Sequence, residues 1–188
     1  MARLPYPDDS GLPKDLIALR QALPRLNVFD MWSYSAGTIR PVLELGAAQY
    51  AALCVPRPRR ELVTLAAALA VDCEYEWFQH LAPARAAGVT EDQLDALRRG
   101  DFTADCFSEE DQAALTFAAA VLAAPTVSDD IFTSTAAVLE PRQLIELVGL
   151  VGYYWMLGRV ATVFEVENDV AQGTEIYDAG VKLARGER

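Results

Sequence analysis

The chain has 188 residues, 52% of them apolar, and a formal net charge of −11. That length is enough for one domain with a sizeable core, and the negative charge argues against nucleic acid and against an anionic membrane surface. Three scattered cysteines, Cys54, Cys73 and Cys106, do not form a disulfide framework.

The first thirteen residues, with Pro5, Pro7, Gly11 and Pro13, read as an extended arm suited to packing on a neighbour. They lack the basic start and apolar run of a signal peptide. A short amphipathic helix is predicted over Asp15–Leu23 and stopped by Pro24. Two more, Leu26–Ser35 and Thr38–Leu53, flank Gly37. Pro56 and Pro58 then punctuate the chain. Arg59–Val71 is predicted as a helix apolar on every side, which marks it as central, with Glu61 as its one internal acid. Glu74–Ala87 follows, bent at Pro83 and closed by Gly88 as a left-handed cap.

Thr90-Glu91-Asp92-Gln93 is a capping box that starts a helix running to Arg99. Ser108 opens Glu109–Ala124, Ser128 opens Asp129–Leu139, and Pro141 sits in the first turn of a long helix reaching about Val166. Thr174–Leu183 is weakly helical. Strand-like alternation and hairpin signals are missing, so the predicted fold is an all-α bundle. The apolar runs Leu62–Val71 and Leu147–Leu157 fall short of the ~20 residues that span a bilayer. A reducing cytoplasm is the expected setting.

The chemistry-bearing residues stand at Cys73-x2-Glu76-x3-His80, and His80 is the only histidine. Residues three, four and seven apart share a helix face, so thiol, carboxylate and imidazole are expected within roughly 60° of one another. Trp77 would wall that strip. The start of a helix favours a thiolate at Cys73, while a negative charge at Glu76 opposes it. Glu61 lies in so apolar a segment that it needs a partner. His80 is that partner if the two helices pack antiparallel. Such a pair is suited to proton transfer near neutral pH. Of the aromatic residues, Tyr153 and Tyr154 are candidate pocket walls beside Phe29, Trp32, Tyr34 and Trp155. Arg59, Arg60 and Arg159 are candidate holders of a carboxylate. The chain has no phosphate loop, zinc-type cysteine and histidine set or calcium loop, so no cofactor and no metal are expected.

The segments Arg60-Glu61-Leu62-Val63-Thr64-Leu65-Ala66-Ala67, Cys73-Glu74-Tyr75-Glu76-Trp77-Phe78-Gln79-His80 and Ala84-x3-Gly88-Val89-Thr90 resemble the core of the carboxymuconolactone decarboxylase / alkylhydroperoxidase-like family, and Val148–Leu157 resembles the helix that closes its fold. The resemblance runs from about residue 40 to 168. It divides the chain into an N-terminal extension (1–39), a family-like helical domain (40–170) and a tail (171–188), and it implies an alkylhydroperoxidase-like helical bundle. It also implies a glutamate at 61, redox cysteines at 73 and 76, and a histidine at 80. This chain keeps Glu61, Cys73 and His80 but carries Glu76 in place of the second cysteine. A dithiol turns over by closing an internal disulfide, which Cys73 alone does not do.

The leading expectation is therefore a cofactor-independent acid–base enzyme of lyase type. It would decarboxylate, isomerise or dehydrate a small carbonyl or carboxylated molecule through Glu61, Glu76 and His80. The alternatives are thiol-dependent peroxide reduction through Cys73 and a non-catalytic ligand-binding member. The resemblance also implies a homo-oligomer, a trimer or hexamer, whose only other partner is a small-molecule substrate.

Overall fold

The computed structural model describes residues 1–170 and 175–186. Within them the chain forms ten α-helices and one 3-10 turn, with no strand. In chain order they are α1 (Lys14–Gln21), α2 (Asn27–Trp32), α3 (Ile39–Ala51), α4 (Arg57–Ala70), α5 (Glu74–Ala87), α6 (Glu91–Arg98), α7 (Glu109–Ala123), α8 (Asp129–Val138), α9 (Pro141–Val163) and α10 (Glu175–Ala184).

α4 is the axis of the fold. Arg60 through Ala68 are all buried, because α5, α6, α7 and α9 surround the helix. Its apolar faces are covered on several sides, and the polar residues Arg60, Glu61 and Thr64 are buried with them. It begins two residues earlier than the proline pattern suggests. Pro58 fits the first turn, where its missing N–H costs no helical bond. α9 is by length and composition able to cross a bilayer, but half of its apolar window is buried inside the molecule. It is built as a core helix, packing on α4, α5 and α7.

The sequence signals for helix ends correspond to real caps. Thr90 and Gln93 close the predicted capping box, and Ser108 and Ser128 each accept a backbone N–H from the first turn of their helices. Gly88 stops α5 at φ +99°, a conformation glycine takes without strain. α5 continues through Pro83, which has no N–H to return to the carbonyl of Gln79. α9 ends three residues before the predicted position, where Phe164 caps it and Glu165 turns left-handed. The predicted start of the last helix, Thr174, lies outside the described residues.

The N-terminal arm packs on its own chain. Arg3 N–H donates to the carbonyl of Phe164 at 2.9 Å. The Ala2 N–H and the Tyr6 hydroxyl donate to the two carboxylate oxygens of Glu167 at 2.8 and 2.6 Å. The arm thus covers the end of α9. α10 lies along α3, with Tyr50 of α3 against Gly180, where a Cβ would come within 2.6 Å of its ring. The three cysteines are free.

Candidate active site

A three-residue link joins α4 to α5. Asp72 adopts φ 53°, and Cys73 N–H donates to the carbonyl of Ala68 at 2.9 Å. The chain therefore reverses, and the two helices run antiparallel in contact. Glu61 lies eleven residues before Asp72 and His80 eight after it. The offset of three residues is about 4.5 Å of helix rise, a gap that a glutamate and a histidine can bridge.

They do so. Glu61 Oε2 lies 2.9 Å from His80 Nδ1, with Glu61 1% and His80 6% exposed. A carboxylate can only accept, so the proton of this bond sits on Nδ1. The other ring nitrogen, Nε2, lies 3.7 Å from Glu76 Oε2, and Tyr154 meets the imidazole edge to face, with ring centres 4.8 Å apart. Burial pulls the imidazole pKa down. The hydrogen bond and charge of Glu61, joined by the charge of Glu76, outweigh it and leave the pKa raised. Burial pushes the Glu76 carboxyl up from 4.5 to about 7, against a smaller downward pull from His80.

Glu76, Gln79, His80 and Pro83 project from one face of α5 into a hollow of about 60 Å³. That is room for a few waters or a compact small molecule. Tyr153, Tyr154 and Leu157 of α9 form the opposite wall, and Gly46, Ala47 and Tyr50 of α3 the side. Phe29 of α2 and Ile176, Gly180 and Leu183 of α10 complete the enclosure. The lining contains no lysine or arginine among the described residues. Gly46 is required here, since a Cβ would stand 2.3 Å from the Tyr153 hydroxyl, which donates to the carbonyl of Val42. A second depression, open to the surface, shares Leu23, Leu26, Phe29 and Leu43 with the hollow. It is flanked by the ion pairs of Arg20 and Arg25 with Asp30.

The structure brings Glu61, Glu76, His80, Tyr153 and Tyr154 together. It places Cys73 and Trp77 elsewhere, since neither lines the hollow. The spacing argument treated Cys73 as helical, but it is the N-cap of α5, with extended φ −105° and ψ 93°. Its sulfur turns back to accept the Glu76 N–H at 3.5 Å. Burial pushes the thiol up to about 11, against the weaker pull of that N–H. Trp77, about 100° around the helix from Glu76, lies in a surface depression beside Leu69 and Phe78, under the guanidinium of Arg98.

The candidate carboxylate holders are also occupied elsewhere. Arg59 pairs with Asp111 at 2.6 Å and Arg159 is exposed. Arg60 is buried, donating to the carbonyl of Gln49 at 2.7 Å and to the Tyr177 hydroxyl at 3.3 Å. Sequence reasoning missed Tyr50, Gln79 and the α10 residues. Only Gln79 carried a signal, three residues after Glu76 on the same face.

An antiparallel helix pair thus delivers a glutamate and a histidine into the bundle core. Solved structures share this fold. An alkylhydroperoxidase AhpD core protein from Ralstonia eutropha JMP134, an uncharacterized peroxidase-related protein, is 19% identical at TM-score 0.74, over 89% of this chain and 92% of its own. A cysteine-to-alanine variant of the debrominase Bmp8, in complex with 2,3,4-tribromopyrrole, is 17% identical at TM-score 0.71, over 97% and 96%. A protein of unknown function from Agrobacterium tumefaciens is 16% identical at TM-score 0.58, over 90% and 99%. No curated protein matches in sequence. The model of the carboxymuconolactone decarboxylase family matches residues 42–120, from α3 through most of α7. That match and the shared fold support a carboxymuconolactone decarboxylase / alkylhydroperoxidase-like family for this segment.

Proposed function

We propose that the protein is a cofactor-independent acid–base enzyme that moves a proton on a small, uncharged carbonyl compound. The observation that carries this reading is the buried 2.9 Å contact between Glu61 and His80 at the wall of an apolar hollow. Glu61 holds the Nδ1 proton and so fixes the tautomer, leaving the Nε2 lone pair beside Glu76. In this scheme Nε2 takes the proton from the carbon next to the substrate carbonyl. Protonated Glu76 gives its own to the carbonyl oxygen, and the enol returns by the reverse steps. Glu61 stabilises the imidazolium formed midway, as a buried carboxylate behind a catalytic histidine does.

An uncharged substrate fits better than a carboxylated one. No cation lines the hollow among the described residues, and an anion there would face Glu76. Isomerisation and dehydration both begin with the proton transfer described, and a lyase that eliminates water would use the same step; decarboxylation, which breaks a C–C bond of a carboxylated substrate, fits this hollow less well. Thiol chemistry fits less well, because Cys73 is a buried N-cap outside the hollow with its pKa raised to about 11. The trimer or hexamer implied by the family resemblance would use the exposed apolar stripe of α9, Ile145, Val148 and Trp155. A cytoplasmic setting would keep the three thiols reduced.

The test is deuterium uptake from heavy water into a panel of small ketones and lactones, followed by proton NMR. His80→Gln should lower the rate by about 10²–10⁴ while the protein stays folded. Equal rates in the two proteins would remove His80 from the mechanism.

A further inference from the structure

Besides Glu76 and His80, α5 presents to the hollow a polar group that the proton-transfer scheme does not use. Gln79 lies between Glu76 and His80 on the lining face and is 7% exposed, yet its Nε2 has no hydrogen-bond partner among the described residues. Glu76, 3% exposed, is in the same condition on one side: Oε2 faces His80, while Oε1 has no partner. Buried polar atoms are rarely left so, because each forgoes the hydrogen bond that would repay its desolvation. A donor and an acceptor three residues apart on one helix, both buried and carried by side chains that line the same small hollow, form a complementary pair for a ligand.

We propose that Gln79 and Glu76 form a two-point binding site for an uncharged molecule carrying a carbonyl and an adjacent O–H or N–H, as in an α-hydroxyketone or a primary amide. Gln79 Nε2 donates to the carbonyl oxygen, and Glu76 Oε1 accepts from the neighbouring hydroxyl or amide. The assignment rests on the proton-transfer reading of the same hollow, and it adds Gln79 as the residue that selects the substrate. It disfavours a carboxylate, which offers no donor to Glu76 and meets no cation. It equally disfavours a purely apolar ligand, which leaves both atoms unpaired.

The probes are hydroxyacetone and 2-butanone, which differ by a hydroxyl in place of a methyl. Each is titrated into the full chain while the side-chain amide resonances of Gln79 are followed by proton–nitrogen NMR. Hydroxyacetone is expected to bind about fivefold or more tightly than 2-butanone and to shift those resonances. Gln79→Met keeps the length of the side chain and removes its hydrogen bonds, and it should weaken hydroxyacetone binding by about fivefold or more. Equal affinities for the two probes in the wild type, unmoved Gln79 resonances, or no binding of hydroxyacetone would overturn the proposal without recourse to a variant. Undiminished binding by Gln79→Met would overturn it as well. The outcomes also separate the two readings. Hydroxyacetone held by Gln79 without deuterium uptake sinks the proton-transfer scheme and leaves the binding site standing. Deuterium uptake with Gln79→Met as tight and as active as wild type does the reverse.

Discussion

Glu76→Gln should stabilise the protein at alkaline pH. In the folded chain burial lifts the Glu76 carboxyl from 4.5 to about 7, so the native state binds its proton more tightly than the unfolded chain does. As pH rises above 4.5 the unfolded chain ionises first, and stability falls by about 1.4 kcal/mol per pH unit until Glu76 itself ionises. Over the interval to about 7 the loss is about 3 kcal/mol. His80 adds to it with the same sign. Its folded pKa is raised, so its contribution is full below 6.5 and disappears as pH climbs through the raised value. The carboxyls held low, Asp8, Glu91, Glu146 and Glu167, lose their contribution only when pH falls below about 4.5, outside the window. Urea unfolding followed by circular dichroism between pH 5 and 8.5 tests this. Wild type should lose stability across the range. Glu76→Gln should match it near pH 5, decline less steeply and exceed it at pH 8 by up to about 3 kcal/mol. The slope should not vanish, because Glu61 still acts on His80. Wild-type stability that is flat or rising over the range, or the same slope in both proteins, would show that the site does not hold a buried proton.

The hollow and its supports give further expectations. Gly46→Ala places a Cβ 2.3 Å from the Tyr153 hydroxyl. It should break that hydroxyl's bond to Val42, destabilise the fold by about 1–3 kcal/mol and cut deuterium uptake, and an unaltered melting temperature would contradict the packing. Gly158→Ala brings a Cβ to 2.8 Å from Val71 Cγ2 and 3.4 Å from Cys73 Cβ. A melting temperature lower by a few degrees is expected from the strain in the α4–α5 link. Ellman's reagent at pH 8 should modify exposed Cys54 promptly and buried Cys73 only on unfolding. Prompt modification of Cys73 in the native protein would reopen the thiol route. Peroxide consumption with a dithiol reductant should be the same in wild type and Cys73→Ser, and a loss confined to the variant would assign redox work to Cys73.

The features legible in the sequence are those whose cause is local. Thr90, Ser108, Ser128 and Gly88 announce helix ends because a cap is a short-range bond between a side chain or a left-handed residue and the adjacent turn. The meeting of Glu61 with His80 was legible for a related reason. An acid inside an apolar helix demands a partner, and the chain offers one histidine, a short link away. Cys73 marks the limit of that reasoning. A helical wheel assigns it to the strip of Glu76 and His80, but periodicity holds only where φ and ψ are helical, and a residue one position outside the helix points where its own dihedrals send it.

The rest of the hollow depends on packing between distant segments. Tyr50 reaches it because Gly180 of α10 leaves space for its ring, and Arg60 is held away from it by Gln49 and Tyr177. That second arrangement has a chemical consequence. The cation nearest in sequence to Glu61 is tied into the contact between α3, α4 and α10, with its guanidinium 5.5 Å from the ring centre of Tyr177. The His80 pair therefore works without a positive neighbour in the lining. Its protons answer mainly to burial and to the two glutamates. A site so constructed is suited to passing a proton to and from an uncharged molecule, and poorly suited to retaining a charged one.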